Sequence, residues 1–254
     1  MYFISDETGS WIAIKEIERL ETILKKLSIT DIIVSDLDDT DAYSSALRIG
    51  IRLINRYFLQ KPGIRSWCIS QAVRLLEGSF EKDAAGQEFL YEVFTDDCMR
   101  KDAERACSPA FIAHTLFPGI QDFYRQFHVP KVYLTRNIPD IAQQYEAFLG
   151  FEFGLYQQCD KEKGIADIIQ KYQFKRNYLI KENNPSDGSD ICGYLREMES
   201  FGGIDSFVPI FVAKNKSFVN PEFDISIGRD YRLLNKIIMD SSQDLKISKS
   251  ILSR

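Results

Sequence analysis

The chain has 254 residues, 44% hydrophobic and 27% charged, which suits one large globular domain or a core plus a smaller module. A net charge of −5 without any basic block argues against a dedicated nucleic-acid binder, and the longest apolar stretch, Phe207 to Ala213, is interrupted by Pro209 and too short to span a bilayer. Five cysteines without Cys-x-x-Cys spacing, only two histidines (His114 and His128) and no leader-like N-terminus point to reduced thiols in a cytoplasmic protein, with neither a zinc site nor a disulfide framework nor a signal peptide.

In chain order, Ile17, Leu20, Leu24 and Leu27 recur at helical spacing, so residues 11–27 read as an amphipathic helix. A strand follows at 31–35. Its apolar run Ile32–Val34 leads into Asp36, Asp38 and Thr40, and residues two apart on an extended strand share a face. A strand tip that presents paired acids is where an α/β protein builds a metal-assisted phosphoryl-transfer site. Residues 41–112 carry apolar positions at helical spacing, with helices expected at about 66–77, 84–95 and 96–106, a break at Pro62-Gly63 and no convincing strand. Such a stretch, placed directly after a strand tip, reads as a small helical module. From Phe117-Pro118-Gly119 the alternation resumes: helix 119–127, strand 132–134 ending at Thr135-Arg136-Asn137, helix 139–148, an apolar stretch at 151–156 and helix 163–172. Strand 177–180 runs into Lys181–Asp187, followed by helix 190–199, strands at 207–213 and 223–227, helix 230–239 and a frayed tail. This alternation predicts a Rossmann-like, mostly parallel sheet with helices on both faces, its ligand at the carboxyl ends of the strands. Neither a Gly-x-Ser-x-Gly elbow nor a Gly-x-x-x-x-Gly-Lys-Ser/Thr loop is found.

Strand ends at Asp36/Asp38, Thr135 and Glu182–Asp187, with a lysine opening the intervening helix, form an ordered series. In that order the chain resembles the haloacid dehalogenase (HAD) superfamily over about residues 30–200. Asp36, Asp38 and Thr40 match its first motif, Thr135 its second, and Lys163 fits its third best because Lys163-Gly164 precedes a helical segment, with Lys161 as the rival. Residues 1–40 and 113–240 read as core and 41–112 as an all-helical cap, while the Ser- and Lys-rich 241–254 read as a flexible tail. The resemblance implies Asp36 as nucleophile, Asp38 as acid and base, and Thr135, Arg136 and Lys163 as contacts to the phosphate. Mg²⁺ would be held by Asp36, the Asp38 carbonyl and Asp187. The fourth motif departs from the family pattern: Asn183 stands where the first of two acids is usual, and Glu182 beside it is the candidate to restore the charge.

The activity so implied is Mg²⁺-dependent hydrolysis of a phosphomonoester, on a small phosphorylated metabolite and without nucleic-acid or membrane partners. An acid at Asp38 favours a phosphatase over a dehalogenase, because a departing alkoxide benefits from a proton and a halide does not. The alternatives are a HAD-fold binding or regulatory protein impaired at Asn183, and a phosphomutase.

Overall fold

A computed structural model of the chain describes residues 1–43, 45–79, 96–158 and 160–243. One eight-stranded sheet runs β1-β2-β8-β7-β6-β3-β4-β5. Its strands are β1 (Tyr2–Ser5), β2 (Trp11–Ile14), β3 (Ile32–Ser35), β4 (Lys131–Leu134), β5 (Phe153–Leu155), β6 (Asn177–Glu182), β7 (Ser206–Val212) and β8 (Ile225–Ile227). From β8 to β5 all neighbours are parallel, while β1 and β2 form an antiparallel edge. The expected mostly parallel α/β architecture is therefore observed, with β3 near its centre between β4 and β6.

Every residue of β3 is buried, and its two faces serve different cores. Ile32 and Val34 pack into one, with Ile165 and Ile168 of α8 (Lys161–Lys171) and Ile191 and Leu195 of α9 (Pro185–Ser200). Ile33 packs into the other, with α1 (Leu20–Ser28), α6 (Ile120–Arg125), α7 (Pro139–Leu149) and α10 (Arg232–Gln243). A strand covered on both faces reads as a continuous apolar run, which is why Ile-Ile-Val was recognisable as one. Between β3 and β4 the described regular elements are all helical: α2 (Ser45–Tyr57), α3 (Pro62–Leu76), α4 (Asp97–Ala106) and α5 (Pro109–Thr115), then α6. Leu53, Tyr57, Met99 and Ala103 of these helices join the second core. The helix expected at 84–95 lies outside the described residues. No described helix is long and apolar enough to cross a membrane.

Three local expectations are corrected. Residues 11–14 are strand rather than helix. Ile12 and Ile14 enter one core and Trp11 and Ala13 the other, so the helical stripe begins only with the 3₁₀ turn Ile17–Arg19. Strand β6 continues through Lys181 and Glu182, two residues beyond the expected strand end, and both side chains are buried. Helix α9 starts at Pro185, five residues before expectation, because the Asn184 side chain accepts from the backbone N–H groups of Ser186 and Asp187 and Pro185 occupies the first turn.

Candidate active site

The period-2 geometry of β3 directs Asp36 to the face that holds Ile32 and Val34, toward α8. There Lys161 Nζ lies 2.9 Å from Asp36 Oδ1 and 3.4 Å from Glu182 Oε2, and it also donates to the Leu134 carbonyl. Lys161 is only 3% exposed. Burial alone would lower the pKa of its amine, but the Asp36 and Glu182 carboxylates outweigh that and raise it to about 12. The lysine at the strand-tip acid is thus Lys161, and the expectation for Lys163 is corrected. Lys163 is exposed, and its backbone N–H donates to Asp160 Oδ1, which caps α8. Two residues apart on a helix is more than half a turn, so only one of the two lysines can face the sheet.

Asp38 Oδ2 accepts from Asn137 Nδ2 at 3.0 Å, and Asn137 Oδ1 in turn accepts the Ile138 N–H. Thr135, buried at the end of β4, accepts the Asn137 N–H on its hydroxyl oxygen. Arg136 pairs with Asp187 Oδ1 at 2.6 Å, and its Nε is buried without a hydrogen-bond partner. Burial holds the Asp187 carboxyl above its ordinary pKa, against the opposing pull of Arg136. Asp39, next to Asp38, adopts φ 61, a left-handed conformation that aspartate tolerates, and Arg229 Nη2 binds its carboxylate at 2.8 Å.

Glu182 Oε1 accepts the backbone N–H groups of Asn183 and Asn184, while Oε2 faces Lys161. Burial pushes the Glu182 carboxyl up to about 7, against Lys161. The inward end of the Asn183 amide lies 3.3 Å from the Asp38 carbonyl oxygen, 3.1 Å from Thr40 Oγ1 and 3.1 Å from Glu182 Oε1. With Nδ2 inward, the amide donates to all three. With Oδ1 inward, it accepts from Thr40 Oγ1 at 3.1 Å. Asp36, the Asp38 carbonyl, Asn183 and Asp187 offer oxygen atoms, the donor type that a hard cation takes. Among the described residues there is no cluster of three or more Asp, Glu, His or Cys side chains able to hold a metal.

The structure therefore brings together Asp36, Asp38, Thr135, Arg136, Glu182, Asn183 and Asp187 with Lys161, the rival to Lys163, and it adds Asn137. Asn137 follows Thr135-Arg136 directly, and that proximity to the second motif was its only sequence signal.

No family model and no curated protein matches the chain in sequence. Solved structures do match it in fold. Cytosolic 5'-nucleotidase IIIB bound to cytidine aligns at a TM-score of 0.58 and 10% identity, over 91% of this chain and 94% of that one. A probable phosphoserine phosphatase from Vibrio cholerae aligns at 0.54 and 10% identity, over 89% and 74%. A phospho-aspartyl intermediate analogue of phosphoserine phosphatase aligns at 0.50 and 13% identity, over 82% and 98%. The chain has the HAD-like fold.

Proposed function

We propose that this protein is a Mg²⁺-dependent phosphomonoester hydrolase acting on a small phosphorylated metabolite through an aspartyl-phosphate on Asp36. The observation that carries this reading is the convergence on one strand tip of Asp36, bound by Lys161 through Oδ1, and Asp38, held by Asn137. Oδ2 of Asp36 attacks phosphorus, and the bond to the leaving oxygen breaks as Asp38 supplies that oxygen with its proton. Asp38, now a carboxylate, takes a proton from water, whose oxygen attacks the phosphoryl group and frees Asp36 and inorganic phosphate. Thr135, Arg136 and Lys161 bind phosphate oxygens, so the site works by positioning and charge neutralisation. Asp36, the Asp38 carbonyl, Asn183 and Asp187 would hold a magnesium ion, which would supply positive charge against the phosphate. The cap expected over residues 41–112, of which α2, α3 and α4 are described, excludes bulk water and reads the leaving group. Cys68, Cys98, Cys107 and Cys192 are free thiols, which suits a cytoplasmic location. The test is a panel of phosphate esters with Mg²⁺, on wild type and Asp36→Asn side by side. Hydrolysis by wild type alone supports the reading, and equal activity in both removes Asp36 as nucleophile.

A second reading, a binding protein on the same fold, is favoured by the neutral Asn183 and by the Arg136–Asp187 pair, which occupies the remaining acid. Asn183→Asp separates the two: a large gain from near zero marks an impaired site, and a change of no more than about twofold marks a working one.

A further inference from the structure

Behind the catalytic face, the opposite face of the same strand tips holds a second cluster of charge. Asp41 and Lys181 are both fully buried, with Lys181 Nζ 2.5 Å from Asp41 Oδ1. The Asp41 carboxylate also accepts from the hydroxyls of Tyr124 (2.5 Å), Tyr133 (3.1 Å) and Ser35 (3.2 Å). Lys181 Nζ reaches the Tyr231 hydroxyl at 3.3 Å, and that hydroxyl donates to the Thr40 carbonyl at 2.9 Å. The Lys181 ammonium lies over the rings of Tyr124, Tyr231 and Phe123. None of these groups takes part in the chemistry described above.

Their backbone connections lead into it. The Asp36 N–H donates to the Lys181 carbonyl at 3.0 Å, and the N–H groups of Asp41 and Ala42 donate to the Leu37 carbonyl at 3.0 and 3.2 Å. Asp41 thus closes the turn that carries Asp36 and Asp38, while Lys181 directly precedes Glu182 and Asn183. Apolar pairs of similar volume often stabilise a fold as well as a buried ion pair does, so stability alone does not account for these two charges.

We propose that Asp41 and Lys181 are positioning residues, a buried ion pair that locks the turn after β3 to β6 and so sets Asp36 and Asp38 against Lys161 and Glu182. The proposal rests on the hydrolase reading for its kinetic consequence only. Two variants test it. Asp41→Asn/Lys181→Met removes both charges yet keeps an acceptor for the tyrosine hydroxyls, and Tyr231→Phe removes one hydroxyl and serves alone if the double variant does not fold. Melting temperature, kcat, KM and amide hydrogen exchange are measured on each. Near-wild-type melting is expected, with kcat down about tenfold or more, KM within about threefold, and faster exchange at the Asp41 and Ala42 amides. Wild-type kcat or wild-type protection of those amides in a folded variant overturns the proposal. Faster exchange in the variants of a protein that hydrolyses no ester upholds the lock and removes the hydrolase reading instead.

Discussion

Lys161 and Lys163 are two positions apart in sequence, and one of them is 3% exposed while the other lies on the solvent side of α8. Lys161→Met is expected to lower kcat about 100-fold or more, and Lys163→Ala to stay within about twofold, measured as initial rates on one ester. Asn137→Ala, which removes the amide that donates to Asp38 Oδ2, is expected to cost about tenfold in kcat with KM little changed. The acids at 36 and 38 were legible because they follow directly on the buried apolar run of β3 and residues two apart on extended backbone share a face. The lysine was not, because its phase depends on where the helix starts, and that is decided by Asp160 as cap, one residue before Lys161. Glu182 and Lys181 were misread as loop because polarity marks a loop only when a residue's partners are unknown. Theirs, Lys161 and Asp41, lie elsewhere in the chain.

Helix placement depends on a few close approaches. At Gly164, in the turn of α8 that carries Lys161, an added Cβ would sit 2.3 Å from Leu134 Cδ1 and 3.0 Å from Gln158 Cγ. Gly164→Ala is therefore expected to destabilise by about 1–3 kcal/mol in urea unfolding and to lower activity by moving Lys161. On α7, Glu146 Oε1 is buried without a partner, although Oε2 accepts from Tyr156 at 2.6 Å. Burial raises this carboxyl's pKa above its ordinary value, so ionising it costs the folded state. Its contribution to stability is therefore greatest below about pH 4.5 and declines as pH rises through the raised value. Glu146→Gln should remove that part of the slope, read as the difference in melting temperature between variant and wild type across pH. The alternation of α and β was legible wherever strands were buried on both faces. Strand β1 was not, because it is a four-residue edge strand whose Tyr2 and Phe3 are exposed, so its side chains do not alternate between a buried and a solvent face.

At the scale of the whole molecule, the HAD-like fold places three strand ends and one helix start around a single point, and the order of those pieces along the chain was enough to anticipate it. What the order did not reveal is how the tips are held, since the Asp41–Lys181 pair joins residues 140 positions apart. Removal of divalent ions with EDTA is expected to abolish hydrolysis and excess Mg²⁺ to restore it, with an elevated requirement because Asn183 brings no charge. The most direct test of the central claim is to trap the phosphoryl group. If Asp38 activates water as proposed, Asp38→Asn should let the covalent intermediate accumulate with an aryl phosphate, whose leaving group needs no proton. Acid quench and peptide mass analysis should then find one added phosphoryl group on the peptide containing Asp36, and none in Asp36→Asn. Turnover by wild type with no such adduct, or an adduct on another residue, would contradict the account.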